Sequence, residues 1–346
     1  MSFELKKHEI QVSSGHCQIC VGESIQNLKD YLGSGKNVVI TDSNVRRIHG
    51  HYFSAFKSIE IDPGEQNKTL GTVERIYKNF LEWELDRSSF VIAIGGGTVC
   101  DVAGFAASTY KHGIGFGFIP STLHAQVDAS IGGKNGVNFH GHKNLIGLFN
   151  QPQFVLCDTD LLYTLPGREL ACGMAEVVKH AVIRSTSLFE FLEQEWASLL
   201  SLQKDTVEKV INDSVVIKSW ILQSDDLEKG ERKKLNFGHT FSLTLEKEGH
   251  LSHGAAISAG MVLASKISAA RGMLSQQEVK HITSLLKHLK LPAEISSSRE
   301  ILLKAIREGK NHNSDNIPFV LLSEIGKAEV VPMTFTELED HIQKLC

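Results

Sequence analysis

Residues 90–97, FVIAIGGG, leave this chain few folds to choose from. An apolar, largely β-branched run over 90–94, closed by three glycines, reads as a fully buried strand. Val99, Val102, Ala103 and Ala106 then recur at helical spacing, so strand, glycine turn and helix follow one another. A parallel sheet cradles an anion in this way: glycine lets the backbone approach, and the first N–H groups and dipole of the helix supply the attraction. The motif departs from GxGxxG, because Cys100 stands where the third glycine would be, and it is not GxxxxGK[ST]. By itself the stretch fits a nucleotide or phosphate cradle, or a tight strand-to-helix turn in any parallel sheet.

The residues that follow add chemistry. Between 126 and 144 the chain carries Asp128, Lys134, Asn135, Asn138, Lys143 and Asn144 among glycines, a polar density that no core accepts unpaired. The stretch reads as a binding segment, or as a solvated glycine-rich loop.

Short apolar runs at 36–42 (KNVVITD) and 58–62 (SIEID), an amphipathic helix over 72–85, and further strands at 114–119 and 154–156 alternate strand with helix. That order predicts a doubly wound, Rossmann-like parallel sheet over 1–160. Its strand tips carry TDSN (41–44), PGEQNK (63–68) and the glycines, where open α/β sheets bind ligands. Asp42 and Asn44 suit ribose hydroxyls or an adenine edge, although such residues also serve turns for conformational reasons. From about 161 glycine thins out. Helical patterns at 168–183, 188–202, 205–223, 237–247, 255–271, 276–289 and 299–308 predict a mostly α-helical domain over 161–346, with a strand pair near 318–322 and 328–331.

At 346 residues the chain is long enough for about two domains. A net charge of -4 gives no basic surplus for nucleic acid. No apolar run reaches the ~20 residues of a membrane span, and MSFELKKHEI lacks the core of a signal peptide, so the cytoplasm is expected. Of six cysteines, Cys17 and Cys20 form one CxxC within the alternating run HCQICVG. Buried strand thiols are expected there, with a zinc or redox pair as the other reading.

The helical half holds one carboxylate and two imidazoles in separate segments: Glu176 in GMAEVVKH, His239 in LNFGHT and His253 in HLSHGAA. Such a set with an open position is what a catalytic divalent metal needs, although in a chain with 16 histidines a pair also fits a surface or core role. Lys179 and His180 share a helical face with Glu176. Lys218, Glu228, Arg232 and Asn236 precede the uncharged NFGH.

The runs GGGTVCDVAGFAASTY, PSTLHAQVDASIGGKNGVN, KNLIGLFNQP, LPGRELACGMAEVVKHA, LNFGHTF and SHGAAISAGM together resemble the 3-dehydroquinate synthases of the sugar-phosphate cyclase family, in that family's order and spacing. The resemblance extends from TDSN to VLLSEIG. It implies an enzyme that cyclises a seven-carbon sugar acid phosphate with a recycled NAD and a divalent metal, zinc or cobalt, as a homodimer. It implies metal ligands Glu176, His239 and His253. It places NAD against Asp42, Asn44, Glu65, Lys68, Gly96, Gly97, Thr98, Asp101, Ser121, Thr122, Asp128, Lys143, Thr164 and Glu169. Substrate would meet Lys134, Asn144, Lys179, Lys218, Arg232 and Asn236, with Lys310 as a later addition. Lys218 and Arg232 would grip the substrate carboxylate, for which an arginine fork is the natural partner.

Four departures stand out. His112 replaces the arginine of TYxRG, Leu243 the second histidine of GHTFGH, Ala255 the acid of HGEA, and the C-terminal DKK reads Gly309, Lys310, Asn311. Those at 112 and 243 fall where the family surrounds the departing phosphate. Another cyclase, forming a valiolone or an inosose, is therefore the second reading. A metal-dependent polyol dehydrogenase and a non-catalytic NAD-binding relative are the remaining ones.

Overall fold

Apolar segments separated by crossover helices must pair in parallel, because each helix returns the chain to the same end of the sheet. The computed structural model describes residues 5–248, 251–294, 298–308 and 316–345, and it contains this sheet. The chain opens with β1 (Lys6–Val12) and β2 (Gly15–Val21). It continues through β3 (Asn37–Asp42), α1 (Ser43–His49), β4 (Lys57–Ile61), α2 (Leu70–Glu82), β5 (Phe90–Gly95), α3 (Gly97–Thr109) and β6 (Gly115–Pro120). A hairpin of β7 (Lys134–Phe139) and β8 (His142–Phe149) precedes β9 (Phe154–Cys157). Seven strands form one sheet in the order β1-β2-β9-β6-β5-β3-β4, parallel except at the β1/β2 edge.

The pattern of each strand decides its place. Every residue of β5 is buried, as a central strand covered on both faces requires, whereas β4 and β1 alternate and form the edges. Exposed Lys6, Lys7 and Glu9 keep the β1 edge from pairing with another chain. Val39, Ile92, Ile94, Ile119, Phe154 and Leu156 form the core, with the rings of Phe90 and Phe154 stacked at 5.7 Å. The chain leaves β3 toward β4 and leaves β5 toward β6, in opposite directions across the sheet. The switch point of this unit thus lies between the tips of β3 and β5, at Asp42 and Gly95.

Residues 134–149 are a hairpin, not a loop. His140 and Gly141 both have positive φ (47° and 81°), as a two-residue primed turn needs. The polar side chains of KNGVNF and HKN concealed the two-residue period.

The helices are α4 (Gly167–Arg184), α5 (Thr186–Leu200), α6 (Lys204–Ser224), α7 (His239–Lys247), α8 (His253–Ala270), α9 (Gln276–His288) and α10 (Arg299–Glu308). The hairpin β10 (Asn316–Glu324) and β11 (Lys327–Thr334) follows, then α11 (Phe335–Leu345), which the sequence pattern did not announce. By packing, the chain divides into one unit of residues up to Leu170 with Val207–Asp226, and another of Ala171–Thr206 with the residues from Leu227 on. A single cut at 160/161 does not describe this, since most of α6 returns to the sheet-containing unit. Periodicity shows that Val207, Val210, Ile211 and Val215 are inward-facing, but not which core receives them.

In the second unit α8 is buried along most of its length. Small residues let it approach α7 closely: a Cβ on Gly260 would lie 2.0 Å from the Gly238 carbonyl oxygen. Ser275 and Glu278 form a capping box on α9, and Glu278 Oε1 also accepts from the Ile325 amide at 3.0 Å, tying the β10/β11 turn to that helix.

Cys17, Cys20, Cys100, Cys157 and Cys172 are free and buried. Three residues apart on β2, Cys17 and Cys20 point to opposite faces of the sheet, so they form neither a zinc nor a redox pair. Burial raises the Cys17 and Cys20 thiols above their usual range, which makes them inert. Among the described residues no helix is long and apolar enough to cross a membrane. Gly309, Lys310 and Asn311 lie outside the described residues.

Candidate active site

In the sheet-containing unit, the turn after β5 is built for close approach. A Cβ on Gly95 would fall 2.6 Å from Val99, and one on Gly97 would fall 3.1 Å from the Ala129 methyl group. Gly96 caps α3 without a side-chain hydrogen bond, and the first amides of a helix lack intrahelical acceptors. A backbone cradle for a phosphate fits here. Cys100 is fully buried below it, and close packing is instead supplied by Gly104, where a Cβ would meet Asn135 Oδ1 at 1.9 Å.

Polar residues around this turn are linked. Glu65 accepts from Thr98 Oγ1 (3.2 Å) on one carboxylate oxygen and from Asn138 Nδ2 (2.9 Å) on the other, tying the 63–68 loop to α3 and to the hairpin. Lys68 forms a buried ion pair with Asp101. Burial pushes the Asp101 carboxyl up to about 6, against the opposing pull of Lys68. Ser121 donates its amide to Gly95 O at 2.9 Å, and Thr122 Oγ1 caps the Ala125 amide. Asp42 Oδ1 accepts from the amides of Asn44 (2.9 Å) and Val45 (3.0 Å), so this acid caps α1 whatever else it does. Thr164 Oγ1 meets His49 Nε2 at 2.9 Å, and burial lowers the His49 pKa from its ordinary value. Glu169 is exposed in the first turn of α4.

Lys218 Nζ donates to Asp128 Oδ1 (2.5 Å) and to the Asp128 carbonyl (2.6 Å), which aims an ammonium carried by α6. Lys134 and Lys143 are exposed on the hairpin. Asn144, at φ 53°, donates its amide to Asn138 Oδ1 at 2.9 Å. Asn138 therefore joins Glu65, the Lys68 carbonyl and Asn144, a role that the sequence reading did not assign to it. The signal was the period of the hairpin. Gln126 was also missed: fully buried, it donates to the carbonyls of Pro120 (3.0 Å) and Asp158 (2.8 Å).

In the helical unit Glu176, His239 and His253 come together. Glu176 is fully buried on α4, while His239 and His253 are the first residues of α7 and α8. The two Nε2 atoms lie 3.8 and 3.9 Å from the same oxygen, Glu176 Oε1, with the rings at 69°. Around a zinc bonded at ~2 Å, tetrahedral donors stand about 3.3 Å apart, so the set fits a divalent cation after a small contraction. Glu176 Oε2 pairs with buried Lys179, one helical turn on. Arg232 is buried in the turn Glu231–Asn236, and Asn236 Nδ2 donates to Glu228 Oε1 at 2.7 Å. His112 is exposed at positive φ (69°), and Leu243 is 58% exposed on α7.

Family models for the N-terminal and C-terminal parts of 3-dehydroquinate synthase match residues 58–172 and 173–312. A 3-dehydroquinate synthase of Vibrio atlanticus (strain LGP32) is 43% identical over 331 residues, covering 90% of this chain and 91% of the relative. Among solved structures, 2-epi-5-epi-valiolone synthase from Streptomyces hygroscopicus subsp. jinggangensis 5008, with NAD+ and Zn2+ bound, superposes with a TM-score of 0.87 at 29% identity, with 97% of each chain covered. A 2-deoxy-scyllo-inosose synthase complexed with carbaglucose-6-phosphate, NAD+ and Co2+ gives 0.86 at 26% identity, covering 99% of this chain and 100% of that one. With both halves matched and identity of this order along nearly its whole length, the chain belongs to the 3-dehydroquinate synthase family of enzymes.

Proposed function

We propose that this chain is a 3-dehydroquinate synthase, which closes 3-deoxy-D-arabino-heptulosonate 7-phosphate to 3-dehydroquinate with loss of inorganic phosphate and no net change in NAD, as a step of aromatic amino acid biosynthesis. The observation that carries this is the meeting of Glu176, His239 and His253 in a chain matched over 58–312 by that family. When bound, NAD supplies a reversible hydride acceptor, and a divalent cation, zinc or cobalt, supplies a Lewis acid for the substrate alcohols.

The chain's own residues do the holding. Lys179 pairs with Glu176 Oε2 and orients the carboxylate, with Oε1 toward both imidazoles. Buried Arg232 offers a fork for the substrate carboxylate, and the family resemblance assigns Lys218, which donates to Asp128, to the substrate as well. Lys134, Asn144 and Asn236 complete the substrate contacts. For NAD, the 95–97 turn takes the pyrophosphate, Asp42 and Asn44 take a ribose, and Glu65, Lys68, Asp101, Ser121, Thr122, Asp128, Lys143, Thr164 and Glu169 form the rest of the cleft. The sheet-containing unit thus serves NAD and contributes Lys134, Asn144 and Lys218 to the substrate, while the helical unit contributes the metal ligands with Arg232 and Asn236. Five free, buried thiols suit a reducing cytoplasm. Exposed Leu145 and Phe149 on β8 suit a homodimer contact.

The test supplies the seven-carbon acid phosphate with NAD and Zn2+, and follows liberated phosphate alongside NADH. Phosphate release without net NADH is expected. Preferred turnover of sedoheptulose 7-phosphate or glucose 6-phosphate overturns the substrate assignment, and net NADH overturns the reaction class. One observation favours the second cyclase reading, the exposed Leu243 where a phosphate-side histidine is usual in the family. For the proposed substrate, Leu243→His should hold kcat/KM for phosphate release within about threefold or raise it. A tenfold loss would mean about 1.4 kcal/mol of transition-state binding in an altered pocket.

Asp101 gives the reading a pH signature. Its carboxyl, held up at about 6, is ionised at pH 7.5 and protonated at pH 5, so the pairing with Lys68 and its acceptor capacity for ribose weaken as pH falls through that value. The Kd for NAD should therefore rise about tenfold between pH 7.5 and 5. Asp101→Asn, titrated by fluorescence quenching, should bind weakly at both values and lose that dependence.

A further inference from the structure

We propose that Glu246 is a positioning residue for the metal site, acting through His253; this rests on the reading of His253 as a ligand. Glu246 lies in the last turn of α7 and His253 begins α8. Glu246 Oε1 stands 2.8 Å from His253 Nδ1, while the opposite ring nitrogen, Nε2, stands 3.9 Å from Glu176 Oε1. The ring is thus addressed by an acid on each side. One of them, Glu176, belongs to the ligand set; the other, Glu246, meets the nitrogen that a cation at the Glu176 side leaves unused.

A neutral imidazole has one donor and one acceptor nitrogen. A carboxylate at Nδ1 holds the proton there, fixes the ring plane and leaves the Nε2 lone pair for a cation, which also makes that nitrogen more basic. The partner is well placed to do so. The Glu246 side chain is only 13% exposed against 35% for His253, and a carboxylate at that depth requires partners. His239 is held differently: its Nδ1 meets the neutral carbonyl of Phe237 at 3.3 Å. The two imidazoles are therefore unequal donors, with His253 the more firmly oriented.

The experiment measures Zn2+ affinity by chelator competition and the visible absorption of the Co2+ form for the parent, Glu246→Gln, Glu246→Ala and His253→Ala, with melting of the metal-free proteins as a folding control. Glu246→Gln preserves volume and is the decisive variant, because a carboxamide cannot act as an anionic acceptor. Loss of such a partner typically costs about 10- to 100-fold in metal affinity, and that loss, with a shifted Co2+ spectrum and unchanged metal-free melting, is expected. An affinity within about twofold of the parent together with an unshifted spectrum overturns the proposal, while weakened binding by His253→Ala alone leaves the ligand reading intact. If the parent fails to bind either ion, or His253→Ala binds as the parent does, the ligand reading falls and this proposal with it.

Discussion

Replacing His239 with alanine should lower turnover about a thousandfold, since polarisation by a bound divalent cation is worth several kcal/mol. The loss follows from geometry: with Glu176 Oε1 facing both imidazoles, removal of one leaves a two-donor set that does not retain zinc. Folding should survive, because the side chain is 27% exposed and begins its helix. Phosphate release, metal content after gel filtration and melting temperature check the three parts separately. Near-parental activity with full metal content would remove His239 from the site.

Gly260→Ala should cost stability and the metal site together. The added Cβ would stand 2.0 Å from Gly238 O and 2.9 Å from the Gly238 carbonyl carbon, which are backbone atoms without a rotamer to move aside. Gly238, at φ 79°, precedes His239, and a Cβ on it would in turn meet the Met261 amide nitrogen at 2.8 Å. Relief requires the start of α7 to move off α8, carrying His239 with it. Overpacking of this kind costs about 3 kcal/mol, which lowers melting by about 6–12 °C. Zinc affinity should fall at least about tenfold through misalignment of His239. A variant that melts and binds zinc like the parent would show that α7 and α8 are not in such contact.

Much of the architecture was legible because burial on both faces leaves an unmistakable pattern. The run 90–94 could only be a central strand, and the glycines after it could only be a turn into α3. Where side chains serve a site instead of a core, the pattern failed. Lys134, Asn138 and Asn144 obscured the hairpin, and the two faces of α6 gave no indication of which core takes Val207 and its successors. The carboxylate and imidazoles at 176, 239 and 253 were distant in sequence, so the resemblance, not their spacing, brought them together. The link from Glu246 to His253 escaped notice because nothing in an acid seven residues before a histidine signals a partner.

The β2/β9 pairing has a consequence for how the chain is made. Gln18 to Val21 pair with Phe154 to Cys157, so the N-terminal hairpin has no neighbour to dock against until β9 is synthesised. At ordinary translation speeds that delay is on the order of ten seconds, while β3 to β6 already have one another. The β1/β2 hairpin is therefore locked into the sheet after strands that are made later than it, and the sheet grows outward from its middle.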